Sequence, residues 1–467
     1  MTQRIRSCTT FLVGKHASID GSAMIARNED GGDTPNPQKF VVVHPDEQPT
    51  EFKAAATGTL ISLPDKPLKY TSTPDADKRF GVWGAAGINQ ANVAMTATET
   101  ITTNPRILGL DPLVPEGIGE ADILSLVLPY IHTAKEGVLR LGQLLATYGT
   151  NESNGIAFSD QEDVWYMETL GGHRWAAIRI PDDAYVIATN RLNIDLFDFD
   201  SDDTLYSADL PEFIQSHQLN PDAKVINLRH IFGSSSSKDT CYNNPRAWYV
   251  QRYFNPEIEQ VPTDHELPFI CRPAKKISIE DVKYVLSSHY QHTPFDPYGT
   301  TNDATRKQFR PIGINRNLET HILQIRSNMP TDIIGIHWLA FGPNTFNALV
   351  PFYASVNQTP ACYRETPTIF NPNYMFWLST LTAVLGDSHY DSYKNLATDT
   401  EQQVLAACRY IQYQTDQEYL NHDKTLPNLE AVNQKMADLA FAHANTLLGK
   451  MTEKGFGEMT LSFPLAD

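Results

Sequence analysis

Short apolar runs, rich in β-branched and aromatic residues and separated by polar turn signals, fill the chain from Cys8 to about Asn104. CTTFLVG from Cys8, SAMIAR from Ser22, FVVVHP from Phe40 and FGVWGAAGINQANVAMTATET from Phe80 read as strands of a first sheet layer. Asp20-Gly21 marks a turn between the first two. From Glu120 to Gly149 the apolar spacing becomes helical, with Pro129 predicting a break into two helices and Gly149 a stop. Strands then return in quick succession: NGIAFSD from Asn154, EDVWYMET from Glu162, HRWAAIRI from His173 and AYVIATN from Ala184. Strands, a helical layer and strands again predict two sheets sandwiched by helices, rather than a parallel βαβ order.

Farther along, helices are expected at 245–254 and 279–290, and a flexible loop at Gly233 to Asp239, where four serines run together. HILQIR, IIGIHWLAF and ALVPFYA read as strands, and 372–450 as mostly helical, ending in EAVNQKMADLAFAHANTLLGK with the spacing of a surface helix. No internal repeat is visible. The simplest architecture is an α+β, four-layer αββα body over 8–370, with residues 371–467 as a helical C-terminal extension packed on it.

At 467 residues the chain can bury a substantial core without staples. Its five cysteines are scattered, with no CxxC pair and no zinc-ligand spacing, so a disulfide framework and a structural zinc are not expected. The N-terminal apolar stretch is too short for a secretory signal, and no run approaches eighteen apolar residues. The protein is therefore expected to be soluble and cytoplasmic, where a thiol stays free. A net charge of -18 argues against a nucleic-acid partner, since the richest basic run, Pro273 to Ile277, offers two lysines. GxSxG, HExxH, GxxxxGK[ST] and strand-to-helix GxGxxG signatures are all absent.

Cys8 attracts attention because it follows a short polar leader and opens the first strand, although position alone leaves it one buried thiol among five. The sequence from Cys8 through ASIDGSAMIARNEDGG resembles the opening of bacterial dipeptidase A and its relatives. These are N-terminal-nucleophile (Ntn) hydrolases, with secernins and, more distantly, penicillin V acylases and bile salt hydrolases. The resemblance continues through GINQANVAMTATET from Gly87, ATNR at Asn190, NNPRAWYVQRYF around Arg246, ETHILQIRSNMP from Glu319 and ALVPFYASV from Ala348, so it covers most of the chain.

The resemblance implies that residues 1–7 are a propeptide and that Cys8, once N-terminal, is the nucleophile. Its α-amine, with a pKa of roughly 7.7–8.0, would serve as base. Arg27 resembles the arginine that favours the thiolate, otherwise a strand-end surface residue. Asp30 resembles the carboxylate that orients the amine, otherwise a turn residue before Gly31-Gly32. Asn190 resembles the oxyanion-hole asparagine, and Arg246 a second active-site arginine, with Arg252 as its rival.

Aligned to the acylases, Glu99 falls where those relatives tend to carry asparagine, so Thr98 and Glu99 are candidate substrate-binding residues that could hold the ammonium of an unblocked dipeptide. The expected partner is a small peptide. No cofactor or metal is called for, and a homo-oligomer is expected. The alternatives are an N-acyl amide hydrolase and a secernin-like protein acting through partners. His173 and His321 read as structural histidines.

One geometric expectation is sharper. A two-residue hairpin closed by Asp20-Gly21 would set Asp30 opposite Phe11 and away from the face of Cys8. A bulge, or a longer turn over Lys15 to Ser18, is expected to bring both onto one face.

Overall fold

The computed structural model describes residues 7–421 and 427–461, with the side chains of Phe80 and Thr98 excepted. Met1 to Arg6 of the expected propeptide lie outside the described residues, as does the Thr98 side chain. Two antiparallel sheets dominate. Ser7–Val13 and Ala23–Asp30 are inner strands of a seven-stranded sheet. Tyr185–Ala188 and Ile270–Cys271 lie beyond the first, and Asn317–Ile325, Gly335–Phe341 and Val350–Tyr353 beyond the second. The six-stranded sheet runs Thr204–Tyr206, Trp175–Arg179, Val164–Thr169, Asn154–Ser159, Ala94–Thr100, Ala86–Ile88.

The first hundred residues therefore do not make one sheet layer, contrary to expectation. Ala86–Ile88 and Ala94–Thr100 belong to the second sheet, and Val41–Val43 pairs only with Tyr70–Ser72 in a separate ribbon. Local pattern reveals that a segment is a strand but not which long-range partner it takes.

Alternation along the strands sorts the core into three layers. Phe11, Val13, Met24 and Ala26 pack outward against Val250, Phe254, Val282 and Leu286 of helices Asn244–Phe254 and Ile279–Leu286. Leu12, Ile25 and Leu323 face Ala157, Tyr166 and Ala176 of the other sheet. That sheet's far side, including Met95, Ile156 and Trp165, packs on Leu124, Val138 and Leu141 of helices Glu120–Val127 and Ala134–Tyr148. Each buried Val, Leu, Ile, Phe or Met among these contributes about 1.5–3 kcal/mol, and burial on both faces explains the near-continuous apolar runs.

The helical break at Pro129 and the stop at Gly149, whose φ is 68°, are where the sequence puts them. The second mid-chain helix ends at Leu286, short of the expected 290. Helices Met375–Ser388, Tyr390–Asn421 and Leu429–Gly457 fill the C-terminal region, and Trp377, Val404 and Met436 share the outer core of the seven-stranded sheet. No helix among the described residues is long and apolar enough to cross a membrane.

Two departures from regularity shape the site. The first two strands pair without a bulge, Val13 opposite Met24 and Cys8 opposite Glu29, around a connection running from Gly14 to Ser22. Gly21 takes the left-handed φ of 77° that its position suggests, but inside this longer loop. The second departure is a shift between Ala97 and Glu99 against Asn154–Ser159. Ala94 and Thr96 face the first sheet while Met95 and Ala97 face outward, so strict alternation would send Glu99 outward as well. The extra residue turns Glu99 inward, opposite Gly155.

Candidate active site

Cys8 and Thr10 point from the first strand toward the second sheet, and Arg27 and Glu29 join them from the neighbouring strand because cross-strand partners share a face. All four are buried. Arg27 Nη1 donates to Cys8 Sγ at 3.0 Å. The rest of the guanidinium is held by Thr96 Oγ1 (2.8 Å), Glu29 Oε2 (3.1 Å), Ala85 O (3.2 Å) and Ala97 O (3.0 Å). Trp83 and Ala85 both adopt a φ of 51°, a left-handed backbone rare for residues with a Cβ, in the kink that delivers the Ala85 carbonyl. Burial pushes the Cys8 thiol up, and Arg27 pulls it back toward thiolate. In the intact chain burial wins, so the thiol keeps its proton.

Arg27 is fixed in turn by a chain of contacts behind Thr96. Thr96 Oγ1 accepts from Arg27 Nε and lies 2.8 Å from His321 Nε2, while His321 Nδ1 lies 2.7 Å from Glu319 Oε1. Burial holds His321 below its ordinary pKa. In the neutral tautomer assigned from these partners, Nδ1–H donates to Glu319 and Nε2 accepts from Thr96. His321 is satisfied on both nitrogens, as a structural histidine should be, yet the hydroxyl it orients is the one that holds Arg27.

Arg246 approaches from the opposite face of the strand. Its helix, Asn244–Phe254, is entered through a π-helical turn over Asp239–Asn243, an irregularity often found at functional sites. Arg246 Nη1 donates to the Cys8 carbonyl (2.5 Å) and to Thr9 Oγ1 (2.8 Å), and Nη2 donates to Asn190 Oδ1 and Asn243 Oδ1 (both 2.8 Å). Asn190 Nδ2 in turn donates to Thr100 O at 2.8 Å. With its oxygen clamped by Arg246, the Asn190 amide presents its NH2 group away from that cation. Of the two rival arginines, Arg246 is the buried one in contact with Cys8; Arg252 is exposed and lies over the Trp248 ring.

Glu99 is fully buried, and its Oε2 accepts from Thr10 Oγ1 at 2.9 Å. Its Oε1 has no hydrogen-bond partner among the described residues. Burial pushes this carboxyl up to about 8 although Arg246, Thr10 and Arg27 oppose the shift.

Asp30 departs from expectation. The longer connection preserves the parity of the short one, so Asp30 lies opposite Ser7 and its side chain falls on the face away from the Cys8 side chain. There it is ion-paired with Arg310 Nη2 and accepts from Asn317 Nδ2 at 3.2 Å. Burial raises the Asp30 carboxyl from its ordinary value, with Arg310 and Asn317 pulling it down. His173, also read as structural, is half-exposed beside Asp111.

Cys8, Arg27, Asn190, Arg246 and Glu99, named from separate parts of the sequence, thus meet around one strand end. Glu29, Thr96, His321 and Arg310 join them without having been singled out as site residues, as does Tyr242, whose ring lies against the Arg246 and Arg310 guanidinium groups. Glu29 was legible as the same-face neighbour of Arg27 two positions on; Thr96 and Arg310 carry no local signal. No group of three or more His, Cys, Asp or Glu side chains among the described residues could hold a metal ion.

The site thus sets a buried thiol against a buried guanidinium, with the Asn190 amide held nearby through Arg246. The chain belongs to peptidase family C69, whose model matches residues 7–403. It is 55% identical over 470 residues to the probable dipeptidase B of Lactococcus lactis, covering 100% of this chain and 99% of that protein. It is 54% identical to dipeptidase A of Lactobacillus helveticus, over 98% of this chain and 99% of that one. It is 46% identical to a dipeptidase of Bifidobacterium longum, over 88% and 83% respectively. The resemblance read from the sequence to dipeptidase A is borne out, and the chain is a hydrolase.

Proposed function

We propose that the chain hydrolyses unblocked dipeptides, using Cys8 as an N-terminal nucleophile once the Ser7–Cys8 bond is cut. The observation that carries this reading is the Arg27–Cys8 contact of 3.0 Å in a strand whose next upstream residue is the expected propeptide end. The helix–sheet–sheet–helix order of the three cores supports an Ntn αββα sandwich as the scaffold, with the C-terminal helices as an extension.

In this mechanism the freed α-amine takes the thiol proton, and the thiolate, favoured by Arg27, attacks the carbonyl of the substrate's first residue. The NH2 of Asn190 stabilises the oxyanion. The second amino acid leaves with a proton from the α-ammonium, a thioester remains on Cys8, and water activated by the same amine releases the first amino acid. Asp30 fits this scheme by a route other than a shared side-chain face. The α-amine is a backbone group, and side-chain alternation does not govern it; Asp30, opposite Ser7, borders the position where that amine would be exposed.

Glu99 favours dipeptides over N-acyl amides. Its unpartnered oxygen suits a substrate ammonium, whereas an uncharged acyl group would leave a buried carboxyl unsatisfied. Glu99→Gln is expected to raise KM for free dipeptides by about 10-fold or more and to leave N-acetylated dipeptides unaffected; equal effects on both would remove Glu99 from this role. The same substitution has a stability signature. Because the folded pKa of about 8 lies above the unfolded value, the stabilising effect of a neutral Glu99 is present below about pH 4.5 and is lost as pH rises through 8. Glu99→Gln should therefore melt with wild type near pH 5 and progressively above it toward pH 8–9, as followed by thermal unfolding.

Asn190→Ala is expected to lower kcat by about 10²–10³-fold with little change in KM. A change confined to KM would make Asn190 a binding residue instead. The proposal as a whole is tested by intact mass spectrometry of active enzyme: a chain starting at Cys8 supports it, and fully active protein that retains Ser7 rules out the α-amine as base.

A further inference from the structure

Ser7 occupies space that any substrate of an N-terminal Cys8 must border, because cutting the Ser7–Cys8 bond empties the position next to both thiol and amine. The side chains that meet Ser7 therefore mark a subsite. Arg310 Nη2 lies 3.4 Å from Ser7 Oγ while also pairing with Asp30, and Nη1 is occupied by the carbonyls of Pro311 (2.7 Å) and Ile312 (3.3 Å). Arg310 Nε is buried and has no hydrogen-bond partner among the described residues. Nε and Nη2 lie on the same edge of the guanidinium, which is the edge a carboxylate engages with two parallel hydrogen bonds. Tyr242, whose hydroxyl meets both Ser7 and Arg310, forms the neighbouring wall, with Arg246 and Arg310 at 5.0 and 5.1 Å from its ring centre.

We propose that Arg310, through its unpartnered Nε and the Nη2 that loses its Ser7 contact, binds the free carboxylate of the substrate's second residue. Glu99 and Arg310 would then hold the two charged ends of an unblocked dipeptide on either side of Cys8, and a peptide lengthened at its C-terminus would lose the second anchor. This inference rests on the reading of the chain as a dipeptidase with N-terminal Cys8, and deepens it by assigning the carboxylate subsite.

The test compares a dipeptide such as Leu-Leu with its C-terminal amide, using enzyme whose N-terminus has been verified as Cys8. Wild type is expected to favour the acid over the amide by at least about 10-fold in kcat/KM. Arg310→Gln should erase that preference by raising KM for the acid beyond any loss of rate that acid and amide share through Asp30. Because that change leaves Asp30 without its buried cation and can prevent folding, Arg310→Lys serves beside it: the charge against Asp30 is kept, the two-bond edge is lost, and the preference should shrink severalfold. Equal rates on acid and amide in wild type overturn the proposal, as does a preference that survives Arg310→Lys unchanged. The underlying reading fails separately, by wild-type enzyme that ignores dipeptides or by a Cys8→Ala variant that still cleaves them.

Discussion

Cys8→Ala is expected to abolish dipeptide hydrolysis, a loss of at least about 10⁴-fold in kcat/KM, and to leave the leader attached if cleavage before Cys8 is self-catalysed. The effect is this large because one residue supplies both nucleophile and base in the proposed mechanism, so no neighbour can substitute. The other four cysteines lie outside the hydrogen-bonded network around Arg27. Folding should survive. The side chain removed is a single buried sulfur, and Arg27 retains Glu29, Thr96 and two carbonyls. Activity assays and intact masses of the two proteins check the prediction together. Retained activity in Cys8→Ala would exclude the thiol; lost activity with the leader removed in both would keep the nucleophile and assign processing to another protease.

Legibility from sequence followed the range of the interactions. Strands and helices were readable because each carries its own apolar pattern, and the break at Pro129 and stop at Gly149 follow from backbone chemistry within a few residues. The pairing of Ala94–Thr100 into the second sheet was not readable, because it depends on distant partners, from Ala94 opposite Ser159 to Thr100 opposite Asn154. Glu99 shows the same limit at the scale of one side chain: it was named from a likeness to the acylases, but the bulge that turns it inward has no signature in TATET. Asp30 shows how parity can outlast a wrong turn length. The loop grew as expected, yet by an even number of residues, so the face did not change. Arg310 and His321 remained invisible as site residues because isolated arginines and histidines are usually structural, and only the folded chain brings Arg310 to Ser7 and His321, through Thr96, to Arg27.

Arg27→Gln should produce the second large effect, and its pH dependence separates an electrostatic role from a structural one. Arg27 is the largest influence lowering the Cys8 pKa against burial, so its removal must move the thiol to a higher pKa and reduce the thiolate at neutral pH. In the mature enzyme the alkylation of Cys8 by iodoacetamide should then have its midpoint displaced upward by one pH unit or more, with kcat/KM for dipeptides lower by about 10²–10⁴-fold. Stability should fall as well, by about 3–5 kcal/mol, because Glu29 loses a buried cation at 3.1 Å. A merely structural arginine would give that destabilisation without the displaced midpoint. Arg27→Lys sharpens the contrast: a lysine keeps the charge but cannot reach Thr96, Glu29, Cys8 and two carbonyls from one planar group. It should be destabilised while holding the alkylation midpoint much nearer to wild type than Arg27→Gln does. Coincident midpoints for wild type and Arg27→Gln would show that the cation does not tune the thiol, whatever happens to activity.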